Sequence, residues 1–198
     1  LSTTTLPLAA GTWTADPSHT TVGFVVRHLG LSKVRGRFDG VSAQLVVGHD
    51  LASSSVSAEI ELGTVKTGNA DRDAHLASSD FFNAELNPTM TFVSTGISGD
   101  DEEFTLAGDL TINGVTKPVE LDVEFFGTSV FPMDQSTRAG FSATGSISRK
   151  DFGITFDVPL GGDKVMIADK VALELDVQLI AQPKYKAQRT NPLFADGR

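Results

Sequence analysis

Strict alternation of apolar and polar residues most limits how this chain can fold. Val171, Leu173, Leu175, Val177 and Leu179 alternate with Ala172, Glu174, Asp176 and Gln178. The same rhythm carries Val56, Ala58, Ile60 and Leu62, then Phe104, Leu106, Gly108, Leu110 and Ile112, then Val119, Leu121, Val123 and Phe125. Residues two apart share one face of a strand, so each stretch is apolar on one side and wet on the other. That is the pattern of antiparallel sheets around a single core. No stretch keeps a helical period beyond about three turns, and the chain reads as all-β.

Punctuation between the stretches is equally physical. Asn113-Gly114 separates two of them, and both residues tolerate the positive φ of a type I′ hairpin turn. Pro118 lacks a ladder donor and is expected at a strand start or an edge position. From Phe24 to Phe38 an apolar run meets an uncharged turn and re-enters a strand, as in a bent hairpin. Asn69 to Ser79 breaks the alternation and predicts a short helix, capped by Asn69 or Asp71 and favoured by Ala70, Ala74, Leu76 and Ala77. Gly99 to Glu103 reads as an acidic loop, and 182–198 as a loose polar tail.

Long strands with one polar face must dispose of their edges, and closure into a barrel does so. On the residues alone a sandwich stays open as well. The 198 residues suffice for one well-cored domain. A net charge of −9 means that a duplex or an anionic membrane surface would repel the chain, which argues against nucleic-acid binding. With no cysteine, disulfides, zinc thiolates and thiol nucleophiles are excluded. No apolar run approaches the ~20 residues of a transmembrane helix. The first ten residues lack the basic start and apolar core of a signal peptide, which favours a cytoplasmic location. A start at Leu1 keeps a periplasmic or secreted location open, should an N-terminal segment have been removed.

The apolar face is rich in phenylalanine, thirteen in all against one Trp and one Tyr. Small residues separate the rings in strand phase, as in Ala139, Phe141, Ala143 and Gly145. Such layers either fill a barrel completely or leave an elongated slot lined by rings, suited to a prenyl chain or quinone. Phe24, Phe38, Phe92, Leu110, Phe125, Phe141 and Phe152 are the expected lining, with Phe81 and Phe82 closing it from the helical segment.

Few polar residues invite chemistry. His28 follows an apolar strand and reads either as a loop histidine satisfying backbone groups or as a contact at a cavity mouth. His19 is similar, and His49 lies in a solvated turn. Asp71, Asp73 and His75 are too badly spaced on one helix to hold a metal, so no metal site is expected; the two aspartates suit the helix N-terminus instead. Gly140 to Gly145 is one residue too long for a nucleophile elbow, and Gly161-Gly162-Asp163-Lys164 lacks the upstream glycine of a phosphate loop. Nothing activates a nucleophile, so no catalytic residue is assigned.

Five segments in order carry a resemblance: Trp13 to His19, Phe24 to Phe38, Arg72 to Phe82, Gly108 to Lys117, and Arg149-Lys150-Asp151-Phe152-Gly153. Together the set resembles the YceI-like family across roughly residues 12 to 181. One departure is Asn87-Pro88, where many members carry Tyr before the proline. The resemblance implies a lipocalin-like antiparallel barrel of about eight strands over 12–181, with the helical segment near one mouth. Residues 1–11 would then be an N-terminal extension. It also implies binding, sequestration or transport of a long-chain isoprenoid such as a polyprenyl phosphate or quinone, with no other cofactor. Arg27, His28, Arg72, His75 and Arg149, each beside a turn or the helix, are the candidates for its head group. Arg149 stands out, since guanidinium offers paired donors to a diphosphate; its alternative is a turn with its charges in water and Phe152 as anchor. An enzyme using His28 and Arg149 on a hydrophobic substrate, and a structural barrel without ligand, are the alternatives. A homodimer stays open.

Overall fold

The structure, a computed structural model, describes residues 5–100 and 102–184. Eleven strands form one continuous antiparallel sheet. They are β1 (Gly11–Ala15), β2 (Thr21–His28), β3 (Ser32–Phe38), β4 (Val41–Val47), β5 (Ser55–Glu61), β6 (Val65–Lys66), β7 (Thr89–Asp100), β8 (Glu103–Ile112), β9 (Val115–Val130), β10 (Thr137–Ser148) and β11 (Ile167–Ala181). Among the described residues one α-helix, α1 (Ala70–Ala77), interrupts them, with short 3-10 turns at Leu62–Thr64 and Arg149–Phe152.

The sheet closes into an eight-strand barrel. β1 and β2 follow one another along the same edge of β11, β1 against Leu179–Ala181 and β2 against Ile167–Asp176. β4 and β3 pair with them in turn, and β5 and β6 pair with β4 and β3. The first three staves are thus each broken once, whereas β7 to β11 run unbroken. Closure removes the exposed edges that the alternation left unassigned between barrel and sandwich.

Local chemistry explains the joints. Asn113 and Gly114 take φ of 54° and 73°, as a type I′ turn requires. Pro118 lies four residues into β9, where β9 pairs with β8 but not yet with β10, so its missing N–H costs no ladder bond. Asn69 caps α1 by accepting the Arg72 N–H; Asp71 lies inside the first turn. Gly99 to Glu103 differs from the expected acidic loop: β7 and β8 run into it as a tight hairpin with Asp100 opposite Glu103. Alternation was masked there because both strands end in acidic residues. Of the presumed tail, residues 185–198 lie outside the described residues.

Two apolar clusters divide the interior. Trp13, Leu45, Val47, Phe104, Phe125, Ala139 and Leu179 pack one end as a floor. Leu6, ahead of β1, is buried in this cluster, and the Trp13 indole donates to the Ala9 carbonyl at 3.0 Å. The described part of the N-terminal extension therefore folds over the floor. Beneath it, Asp16 accepts from the buried Arg138 guanidinium, which also lies 4.1 Å from the Phe131 ring centre. The second cluster lines the rest of the barrel toward the opposite mouth, where α1, the β2–β3 turn and residues 149–166 gather.

Candidate functional site

The lumen holds a cavity of about 590 Å³. Inward phase on β2 puts Val22, Phe24, Val26 and His28 on its wall; β3 adds Phe38, β7 adds Phe92 and β8 adds Leu110. Phe141 of β10 lines it as well, Phe152 enters from the helical turn after β10, and Phe81 and Phe82 enter from the segment after α1. Phe125 does not line the cavity. It faces inward as its phase requires, but at floor height, where it packs on Phe141 with ring centres 5.1 Å apart. Strand phase decides in or out; it carries no information on depth along a 16-residue strand.

Arg27, His28, Arg72, His75 and Arg149 all reach the same mouth. The strand register brings them there: His28 pairs with Ile167 at one end of β11, and Ser148 pairs with nearby Lys170. Their duties differ. His75 Nε2 meets Asp80 at 2.8 Å, and its ring stands edge-on to Phe81 and Phe156, both at 5.0 Å. Arg72 donates Nε and Nη2 to the Thr67 hydroxyl and carbonyl, and remains exposed. Asp73 turns away to accept the Thr67 N–H and hydroxyl, so Asp71, Asp73 and His75 do not converge.

Arg149 corrects its expected role. It is only 4% exposed and spends every N–H inward. Nε donates to Ala168 O, Nη1 to Ile154 O and Phe156 O, and Nη2 to Ile167 O and Asp157. A guanidinium has five donors, and all five are used, which leaves none for an anionic head group. Nor are its charges in water, although Lys150 and Asp151 beside it are exposed. Arg149 stitches the irregular segment 154–166 and the start of β11 to the barrel rim, with Phe152, 1% exposed, as the apolar anchor. Burial works to raise the Asp157 carboxyl. The N–H groups of Val158, Ile167 and Met166 and the Arg149 charge outweigh it and hold that carboxyl below its ordinary value.

Several participants escaped the sequence reading. Phe156 and Met166 line the mouth and Leu6 reaches the cavity from the floor. Phe156 and Asp157 lie in a stretch that alternates like a strand, with Ile154, Phe156 and Val158 apolar against Thr155 and Asp157, yet it joins no ladder, and the sequence reading assigned it no element. The signal that could have found them is that Phe156 shares its phase with Phe152 and Ile154, both buried.

The YceI-like domain model matches residues 13–179. A UPF0312 protein of Staphylococcus epidermidis is 38% identical over 164 residues, 82% of this chain and 94% of that protein. A UPF0312 protein of Pectobacterium carotovorum is 39% identical over 144 residues, 72% of this chain and 74% of its own. Among solved structures, the Campylobacter jejuni YCEI protein is 31% identical with a TM-score of 0.65, covering 79% of this chain and 90% of that one. A polyisoprenoid binding domain from Saccharophagus degradans shares the fold at 14% identity, with a TM-score of 0.60 over 88% of this chain and 100% of that domain. With the family model spanning nearly the whole barrel, this chain belongs to the YceI-like domain family.

Proposed function

We propose that this protein binds a long-chain isoprenoid or similar amphiphile, such as a polyprenyl phosphate or isoprenoid quinone, and sequesters or carries it in the barrel. One observation carries the reading: an apolar cavity of about 590 Å³ whose basic and imidazole groups are gathered at a single mouth. Its size falls within the roughly 300–1,000 Å³ of ligand pockets. An apolar tail gains by leaving water, whereas a buried head group without partners costs about 1–3 kcal/mol, so the head belongs at the mouth. Since Arg149 has no donor to spare, head-group contact passes to Arg27, His28 and Arg72. Arg72 commits two of its five donors to Thr67 and keeps three. The polyisoprenoid-binding description of the Saccharophagus domain agrees with this reading at the level of fold only.

Native mass spectrometry after gentle purification, followed by offered prenyl diphosphate, prenyl alcohol and quinone, tests it. The expected result is an adduct of several hundred daltons with at least one of them. No adduct and no uptake of any prenyl lipid would leave a structural barrel without cargo.

A further inference from the structure

Five exposed apolar side chains cluster where the cavity opens. Leu29 and Leu31 occupy the β2–β3 turn, and Val158, Leu160 and Val165 the segment leading into β11. The two pieces are tied together: the Leu29 N–H donates to the Met166 carbonyl at 2.8 Å, and Pro159 bridges Val165. Leu31 is 79% exposed. Leu29 takes φ of 55° beside Gly30 at 69°, a position that turn chemistry reserves for Asn or Gly. An apolar residue held in a strained conformation and turned toward water is a candidate for contact with something outside the fold.

Charge says what. From Pro17 to Phe38 there is no acidic residue, yet Arg27, Lys33, Arg35 and Arg37 lie there, in a chain of net charge −9. Arg35 and Arg37 pair with Glu174 and Asp39; among the described residues Arg27 and Lys33 make no ion pair. Arg27 and Lys33 face each other across the hairpin just below the leucine turn. On the companion segment the one acidic group between Val158 and Val165, Asp163, is followed directly by Lys164.

We infer that this rim docks on an anionic lipid bilayer and sets the cavity mouth at head-group depth. The inference rests on the lipid-cargo reading, because a bilayer is where such a cargo resides and a docked mouth spares its tail the passage through water. Apolar side chains at the rim enter the head-group boundary, and flanking Lys and Arg add attraction to anionic lipid. The negative net charge does not forbid this. At physiological salt, charges more than about 8 Å from the surface are largely screened, so the membrane feels the face turned toward it. A second exposed apolar group, Phe126, Val130 and Met133, lies at the far end of β9 beside Glu124 and Asp134, where anionic lipid is repelled.

Flotation of the full chain with vesicles tests the rim, comparing phosphatidylcholine alone with equal parts phosphatidylcholine and phosphatidylglycerol. Binding is expected on the mixed vesicles, weak on the neutral ones, and lost at high salt. Leu31→Asp with Leu160→Asp should reduce it more than tenfold, and Lys33→Ala about fivefold. Met133→Asp, at the floor end, should leave it unchanged. Uptake of detergent-dispersed prenyl alcohol, run on every variant, checks folding and separates the two readings. Uptake without flotation overturns the docking surface and leaves the cargo standing; flotation without uptake supports the surface and removes the cargo. Equal flotation by wild type and the double aspartate variant overturns the rim. So does a shift from dimer to monomer in that variant without wild-type flotation, which would seat a second copy there.

Discussion

The Phe24 ring lies over Gly36, its direct partner on the neighbouring strand: a Cβ at Gly36 would fall 2.3 Å from the ring's Cζ. Phe92 lies over Gly108, its diagonal neighbour on β8, with a Cβ there only 2.2 Å from its Cζ. Rings that rest on glycines of the wall leave the lumen free, which is how a Phe-rich face stays hollow. Gly36→Ala should therefore push the Phe24 ring toward the lumen, lowering stability by about 1–3 kcal/mol as overpacking does. Prenyl uptake should fall more than the melting temperature implies. Unchanged uptake in a titration with a prenyl alcohol would show that the ring has room elsewhere.

Ala143 offers a cleaner block. It lies on the lumen wall of β10 and is small enough to leave the cavity open beside it. Ala143→Phe should fill that space and abolish uptake, at a cost of about 1–3 kcal/mol in chemical denaturation. A folded variant that still takes up ligand would place the tail away from β10.

Arg149→Leu tests a structural duty. Removing a buried guanidinium strands four carbonyls and the Asp157 carboxylate, a loss of about 3–5 kcal/mol. Binding of a prenyl diphosphate and of an uncharged quinone should weaken alike. Selective loss of the diphosphate would mean that Arg149 frees donors for a head group after all.

Acid should loosen the protein at both ends. Burial works to raise Asp16, but His19, the Ser18 N–H and Arg138 hold it below its ordinary value, and Asp157 is lowered in the same direction. A carboxyl depressed by folding contributes stability that is complete above the unfolded value of about 4 and lost as pH falls through the lower folded value. Denaturation midpoints should thus drop as pH falls below about 4. Asp157→Asn should be less stable at neutral pH and show a shallower acid slope; an identical slope would clear Asp157 of the effect.

Much of the barrel was legible residue by residue. Alternation at Val171 to Leu179 placed the inward face of β11, Asn113-Gly114 marked a hairpin turn, and Asn69 marked the cap of α1. These are local properties: side-chain period, φ tolerance and a capping oxygen act within a few residues. The broken staves were harder to see, because pairing of β1 and β2 with one edge of β11 joins residues 139 or more positions apart.

The site divides along the same line. Sequence alone determined that Phe24, Phe38, Phe92, Leu110 and Phe141 point inward, since strand phase assigns sides. Only tertiary structure decided depth, sending Phe125 to the floor and Phe141 to the cavity although the two rings touch. It likewise decided that Arg149, although at the mouth, spends its whole guanidinium on four carbonyls and the Asp157 carboxylate rather than on a head group. Depth and hydrogen-bond partnership depend on which distant strands and segments arrive alongside, and neither period nor spacing encodes that arrival.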